Sequence, residues 1–129
     1  MLSDFPAVAV LAVADLERAR QFYEGVLGFT AQGDAIEGVM YAAGPTTFLV
    51  YPSAYAGTNQ ATAISFQVDV ASFDAEIARL RGQGIEFQTF DMDGLTWNDG
   101  VADMGEGRAV WFADPDGNVL NVETHEEGG

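Results

Sequence analysis

Apolar residues along the chain follow the periods of strand and helix in an order that occurs twice. Residues 8–13 form a continuous apolar run, which is typical of a buried strand. A helix is predicted to begin after Asp15, a good N-cap, and to end at Gly28, where a positive φ is tolerated. Its apolar stripe is Leu16, Ala19, Tyr23, Val26 and Leu27. Three strands are predicted to follow, at residues 29–32, 38–43 and 46–51.

The second half of the chain repeats this order. A strand at 62–70 is followed by a helix that Ser72 is predicted to cap, with the apolar stripe Phe73, Ile77 and Leu80. Further strands are predicted at 85–90, 107–113 and 118–124, and a long polar loop at 91–107. The pattern predicts an α+β fold in which two tandem βαβββ units form a curved mixed sheet with a cup-shaped cleft. Within this single domain, 1–129, the predicted parts are unit 1 (5–52), a linker (53–60), unit 2 (61–124) and a tail (125–129).

Composition limits the classes of partner. The chain of 129 residues fits one domain, and its 48% hydrophobic content favours folding. The chain contains twenty acidic residues and five basic ones, all arginine. The resulting net charge of −15 argues against a nucleic acid or an anionic membrane as partner. A cationic ligand is favoured, with solubility as the alternative reason for the acidity.

Cysteine is absent, which excludes thiolate zinc sites and cysteine nucleophiles. The N-terminus is a poor signal peptide and no apolar run approaches a membrane span, so a cytoplasmic location is predicted.

Two segments, VADLERARQFYEGVLGF (13–29) and WFADPDGNVLNVE (111–123), resemble the vicinal oxygen chelate superfamily. This superfamily includes glyoxalase I, extradiol dioxygenases and bleomycin resistance proteins. With the internal repeat, the resemblance covers nearly the whole chain and implies the fold described above. It also implies four metal-ligand positions on the first and last strands of the units, which here hold Val8, Val50, Ala63 and Asn121. Three of these side chains cannot bind a metal and Asn121 offers one neutral oxygen, so no metal and no cofactor are expected.

Other acidic and polar motifs give weaker signals. The segment DMDGLTWNDGVAD has Leu95 and Thr96 where a calcium loop of the EF-hand type needs a ligand and a glycine, so calcium is not expected. DPDGN is predicted to be a turn, and His125, the only histidine, a solvated tail residue. No nucleophile–base pair is visible, and catalytic residues remain unassigned. Glu123 and Asp103 are the candidate general bases if the protein is an enzyme.

Strand alternation predicts which side chains line the cup. If Val50 and Asn121 face the cup, Phe48 and Glu123 share that face. Trp111 faces it if the neighbouring Phe112 packs under the helices, and Trp97 could close over a ligand from the long loop. The predicted ligand-binding residues are Met40, Phe48, Val50, Trp97, Trp111, Asn121 and Glu123. This set suits a flat or aromatic ligand, and a filled core or a subunit interface is the alternative interpretation.

The resemblance then implies a non-catalytic small-molecule binding protein of the bleomycin-resistance type. Such a protein sequesters an antibiotic or an aromatic toxin, and a homodimer is expected. One alternative is a metal-independent lyase or isomerase that uses a carboxylate of the cup. The other is a structural or regulatory dimer without a ligand.

Overall fold

The computed structural model describes residues 1–35 and 38–125, which form two compact units. Unit 1 comprises Met1–Gln60 with Pro115–Asn118, and unit 2 comprises Ala61–Asp114 with Val119–Gly129. Of the predicted tail, residues 126–129 lie outside the described residues. Within the described ranges, no helix is long and apolar enough to cross a membrane.

Unit 1 is a four-stranded mixed sheet of order β1-β4-β3-β2, in which only β1 and β4 pair in parallel. Its strands are β1 (Ala9–Val13), β2 (Ala31–Ala35), β3 (Gly38–Ala43) and β4 (Thr46–Pro52). A short 3-10 turn, Leu2–Asp4, precedes β1. Helix α1 (Leu16–Arg20) continues directly into a π-helical segment, Gln21–Val26. Asp15 caps α1 as predicted, because its carboxylate accepts a hydrogen bond from the backbone N–H of Arg18.

The core of unit 1 is a cluster of four aromatic rings between the helix and the sheet. Tyr23 comes from the π-helical segment and stacks on Tyr41 of β3 with centroids 5.8 Å apart. Phe48 of β4 meets Phe29 edge to face at 5.1 Å. Tyr23, Tyr41 and Phe48 are essentially without exposed surface. Such contacts stabilise beyond the burial of the rings themselves, so this cluster fixes which face of the sheet lies inward.

Unit 2 is a five-stranded sheet of order β5-β9-β8-β7-β6, covered by one helix. Its strands are β5 (Thr62–Gln67), β6 (Thr96–Asn98), β7 (Val101–Asp103), β8 (Gly107–Ala113) and β9 (Val119–His125). Helix α2 (Val70–Gly82) buries the predicted stripe Phe73, Ile77 and Leu80. Its N-cap is Asp69, three residues before the predicted Ser72, whose backbone N–H donates to the Asp69 carboxylate at 3.1 Å.

Two predictions between α2 and β8 are wrong. Residues 85–90 are not a strand, although the backbone N–H of Gln88 donates to the carbonyl of Trp111 at 2.7 Å. The predicted loop 91–107 instead contains the hairpin of β6 and β7. Its two-residue turn is Asp99 and Gly100, with φ values of 51° and 80°. An Asp-Gly pair is a strong signal for this kind of hairpin turn, and it is present in the sequence.

Thr124 has a buried hydroxyl that is expected to cost stability. Its side chain lies in β9 at 3% exposure, and its Oγ1 has no hydrogen-bond partner among the residues that the structure describes. Thr124→Val removes the unpaired hydroxyl and keeps the β-branched shape. We expect the free energy of unfolding to rise by about 1 kcal/mol in urea denaturation. Thr62→Val, at an exposed strand position, is the control and is expected to change stability by less than about 0.5 kcal/mol. A loss of stability in Thr124→Val would contradict the reasoning.

A carboxylate at the edge of the unit 1 core makes stability depend on pH. Glu24 Oε2 accepts hydrogen bonds from Arg20 Nε and Tyr41 Oη, both at 2.8 Å. The bond from Arg20, followed by that from Tyr41, lowers the pKa of Glu24. Burial, followed by the neighbouring Glu24, raises the pKa of Tyr41. Ionised Glu24 therefore contributes its full share to the free energy of unfolding above its unfolded pKa near 4.5, and this share is lost as the pH falls through the lower folded pKa. Neutral Tyr41 contributes its full share below its unfolded pKa near 10.0, and this share is lost as the pH rises through the higher folded pKa.

Tyr41→Phe is expected to lower the free energy of unfolding by about 1 to 2 kcal/mol at neutral pH, because a hydrogen bond to a carboxylate is lost. The deficit should shrink as the pH falls below about 4.5, where Glu24 becomes protonated in the unfolded chain first and in the folded protein at lower pH. Chemical denaturation at a series of pH values measures both effects. Tyr51→Phe, at a half-buried tyrosine of β4, serves as the control. A deficit that stays constant from neutral to acid pH would show that the carboxylate is not involved.

Candidate functional site

One face of the unit 2 sheet combines aromatic and polar side chains. Trp111 of β8 pairs with Asn121 of β9, and two residues further along β9 Glu123 pairs with Ala109. On the other side of β9, the partners of Asn121 and Glu123 in β5 are Ser65 and Gln67. Paired residues lie on the same face of a sheet, so these side chains share one surface. We call it the Trp111 face, formed by Ser65, Gln67, Phe90, Trp97, Trp111, Asn121 and Glu123.

Three aromatic rings occupy one end of the Trp111 face. Phe90, Trp97 and Trp111 meet edge to face, with centroid separations of 5.3, 4.9 and 6.0 Å. The indole N–H of Trp97 donates to the carbonyl oxygen of Phe90 at 3.0 Å. Trp97 therefore lies in strand β6 and is fixed by its neighbours, whereas the sequence predicted it in a loop. Phe90 is 36% exposed and both tryptophans are half-buried, so the cluster keeps ring surface for a ligand.

Asn121 is fully engaged by the protein itself. Its amide Nδ2 donates to the carbonyl of Val110 at 3.2 Å, and its Oδ1 accepts a short hydrogen bond from the hydroxyl of Ser65. The residue is only 3% exposed. The sequence predicted Asn121 as the polar group that contacts a ligand. In the structure it instead holds β9 to β8 and β5.

Glu123 is the charged group of the Trp111 face. Its Oε1 lies 3.0 Å from Gln67 Nε2 and 3.1 Å from Ser65 Oγ, so one oxygen of the carboxylate is held by neighbours. Its Oε2 lies 3.5 Å from Nε2 of His125, the last residue of β9. The Glu123 side chain is 21% exposed, so the carboxylate is partly accessible from solvent. A carboxylate beside partly exposed indole rings suits a cationic group on an aromatic molecule.

Two predicted ligand-binding residues of unit 1 lie in its core instead. Phe48 contacts Tyr23 and Tyr41 on the helix side of the sheet and is 1% exposed. Val50, two residues on in the same strand, shares that face and has no exposed surface. Met40 pairs with Leu49 on the opposite face and is half-buried.

The placement of Val50 fails because the two hairpins differ in length by one residue. Met40 and Trp111 occupy equivalent positions in the two units, and their cross-strand partners are Leu49 and Asn121. The structural counterpart of Asn121 is therefore Leu49 and not Val50. Counted between equivalent pairs, five residues separate Ala113 from Val119, whereas four separate Ala42 from Thr47. A slip of one residue moves a side chain to the other face of the sheet.

The side chains at the four metal-ligand positions do not fit a metal ion. With the corrected register they are Val8, Leu49, Ala63 and Asn121. Only Asn121 has polar atoms, and both of them are used in hydrogen bonds within unit 2. Residues 1–35 and 38–125 also contain no grouping of three or more His, Cys, Asp and Glu side chains that could hold an ion. The chemistry of these positions is therefore that of a surface without a metal.

Asp103, the other candidate base, is remote from the Trp111 face. It pairs with Arg108 and so lies on the opposite side of the sheet. Its Oδ1 accepts a hydrogen bond from the backbone N–H of Gly105 at 2.8 Å. Asp103 and Glu123 therefore cannot act on one substrate at this face.

Two sheets, each associated with one helical segment and repeated in tandem, define the class of fold. The family model of the Glyoxalase/Bleomycin resistance protein/Dioxygenase superfamily matches residues 6–122, and the chain belongs to this superfamily. No curated protein sequence matches the chain significantly.

Solved structures support the same fold. The chain is similar to the fosfomycin resistance protein FosX from Mesorhizobium loti at 19% identity and a TM-score of 0.67, covering 96% of this chain and 94% of that one. An integron cassette protein from the mobile metagenome of a Halifax Harbour sewage outfall gives 18% identity and a TM-score of 0.66, with coverage of 93% and 99%. A glyoxalase/bleomycin resistance protein/dioxygenase from Nocardioides gives 19% identity and a TM-score of 0.64, with coverage of 97% and 87%. At these identities the likeness establishes the fold and leaves the ligand open.

Replacing the amide of Asn121 by a carboxylate is expected to destabilise the protein. Asn121→Asp places a buried negative charge against the carbonyl of Val110 and removes the N–H that this carbonyl accepts. The expected loss is about 1 to 3 kcal/mol at neutral pH. Because burial raises the pKa of such a carboxyl, its folded form stays protonated to higher pH than its unfolded form, and the loss should lessen as the pH is lowered.

Denaturation at neutral and acid pH measures the effect. Asp114→Asn, in the adjoining turn of unit 2, would be a poor control because Asp114 is also buried. Gln60→Glu is the better one, since it adds the same charge at an exposed residue. Equal losses in Asn121→Asp and Gln60→Glu would contradict the role of the Val110 hydrogen bond.

Proposed function

We propose that this protein is a non-catalytic binder of a cationic aromatic small molecule, which it sequesters on the Trp111 face. The observation that carries the proposal is the pairing of a rigid, partly exposed cluster of Phe90, Trp97 and Trp111 with the carboxylate of Glu123. Rings supply contact area at a small cost in conformational entropy, and the carboxylate supplies charge selectivity. Membership in a superfamily that includes bleomycin resistance proteins supports sequestration as the purpose of binding.

Electrostatics support a cationic ligand over an anionic one. The chain carries a net charge of −15, and the Trp111 face adds a local carboxylate. An anion such as fosfomycin, the antibiotic to which the similar FosX proteins give resistance, would be repelled there. The proposal therefore follows the bleomycin-type branch of resistance and not the fosfomycin type.

Tryptophan fluorescence tests the proposal directly, because both tryptophans of the chain lie in this cluster. Titration with bleomycin and with other cationic aromatic antibiotics is expected to change the emission in a saturable way. Trp111→Phe should retain part of the signal through Trp97 and should weaken binding by about tenfold, as the loss of one ring contact would. Fosfomycin serves as the anionic comparison and is expected to leave the emission unchanged.

A charge-neutralising pair of variants separates a local from a general electrostatic effect. Glu123→Gln is expected to weaken binding of the cation by about tenfold, whereas Glu76→Gln on helix α2 changes the net charge equally and should have little effect. Equal effects of the two variants would contradict a site at Glu123. Absence of any emission change across the cationic panel would contradict the proposed ligand class. Chemical alteration of the recovered ligand, checked by mass spectrometry, would contradict the non-catalytic assignment. The homodimer and the cytoplasmic location stay predictions.

A further inference from the structure

A second concavity lies on the other side of the unit 2 sheet, between helix α2 and the β6–β7 hairpin. Its volume is about 360 Å³, within the range of small-molecule sites. Ala78 of α2 and Val101 of β7 supply the accessible apolar surface of its lining, and Phe73 and Ile77, which also line it, are buried. Because Asp103 and Arg108 also line it, the concavity belongs to the face opposite Trp111. We call it the α2 crevice.

Two arginines converge on the α2 crevice, although the whole chain contains only five basic residues. The guanidinium of Arg108 lies over the ring of Phe73, 4.7 Å from its centroid, and its Nη1 donates to Asp74 Oδ1 at 2.9 Å. The guanidinium of Arg81 lies 5.3 Å from the ring centroid of Phe87, and its Nη2 donates to the backbone carbonyl of Asp99. Each guanidinium is thus positioned by a ring and a hydrogen bond. Because the side chains are already ordered, a ligand that binds them would cause only a small further loss of conformational entropy.

Both guanidinium groups keep donors for a ligand. An arginine carries five N–H donors, and within the described part of the chain each of these two side chains uses one terminal nitrogen only. Arg81 is 42% exposed and Arg108 is 38% exposed, so the remaining N–H groups are not sealed in the core. A carboxylate accepts two parallel hydrogen bonds from such a fork, and this geometry selects carboxylates among monoanions.

The acidic residues of the crevice set the charge that a ligand can carry. Asp74 and Asp99 are 82% and 87% exposed, and ion pairs at such positions contribute only about 0 to 1 kcal/mol each. The carboxylate of a ligand can therefore displace Asp74 and Asp99 from the two arginines with only a small loss of interaction free energy. A dianion such as a phosphate would meet stronger repulsion from these residues and from Asp103. A monoanion with an apolar body fits the lining best.

We propose that the α2 crevice binds a small organic monocarboxylate, with its carboxylate on Arg81 and Arg108 and its apolar body against Ala78 and Val101. This site is independent of the Trp111 face, and its ligand has the opposite charge. Phenylacetate is a suitable probe, and phenethylamine, of similar shape and opposite charge, is its matched control.

Titration of ¹⁵N-labelled protein with phenylacetate tests the site. Backbone amide signals of α2 and of the β6–β7 hairpin should shift in a saturable way at millimolar concentration, while the two indole N–H signals of Trp97 and Trp111 stay unchanged. Phenethylamine should leave the crevice signals unchanged. No saturable shift, or shifts centred on the indole signals, would overturn the proposal. This experiment does not test the proposed function, which is tested separately by the change in tryptophan emission on titration with cationic ligands.

Variants on one helix separate the crevice from the general field of the protein. Arg81→Gln is expected to weaken phenylacetate binding by about tenfold, since half of the carboxylate recognition is lost. Arg79→Gln, which removes the same charge from a 70% exposed position outside the lining, should leave the affinity within about twofold. Asp74→Asn removes the competing carboxylate and is expected to strengthen binding severalfold. Equal weakening by Arg81→Gln and Arg79→Gln would overturn the assignment, as would weaker binding in Asp74→Asn with an unchanged thermal midpoint.

Discussion

The pairing of Trp111 with Asn121 determines what each face of unit 2 presents. A shift of one residue in β8 relative to β9 would pair Phe112 with Asn121 and turn the indole of Trp111 to the opposite face of the sheet. Asn121 helps to exclude this slip, because its amide bonds the backbone of β8 while its oxygen bonds Ser65 of β5. Three neighbouring strands are thereby tied at one buried side chain. This register places the aromatic cluster and Glu123 on the same face of the sheet.

The two sides of the unit 2 sheet offer opposite local charges in a strongly acidic protein. Glu123 is the carboxylate beside the indole rings, whereas Arg81 and Arg108 lie beside the apolar residues of α2. Interactions between exposed charges are screened over about 8 Å at physiological ionic strength. The net charge therefore governs the approach of a ligand, while the nearest side chains govern its selection. Under the two proposals, the two faces of unit 2 would bind ligands of opposite charge.

The sequence predicted the periodic parts of the fold and failed where local turn chemistry decides. The buried stripe of α2, the Asp15 cap and the bounds of β3 and β8 followed from periodicity and capping rules. Residues 85–90 have strand-like composition, yet pairing depends on a neighbouring backbone that composition does not reveal. The Asp99-Gly100 turn was visible as a hairpin signal but was included in a polar loop. Val50 was assigned to the wrong face because a repeat alignment carries no information on an extra residue in a turn.

The amide at position 121 places a neutral side chain at the centre of the unit 2 sheet. A buried carboxylate at the centre of the sheet needs a cation or several donors to offset its desolvation. An amide is neutral, and here its nitrogen donates to the carbonyl of Val110 and its oxygen accepts from the hydroxyl of Ser65, so each polar atom has a partner. Leu49, at the equivalent position of unit 1, is apolar and needs no hydrogen-bond partner. Neither position therefore requires a ligand to satisfy a buried polar group, so under the proposed function the neighbouring side chains would serve recognition.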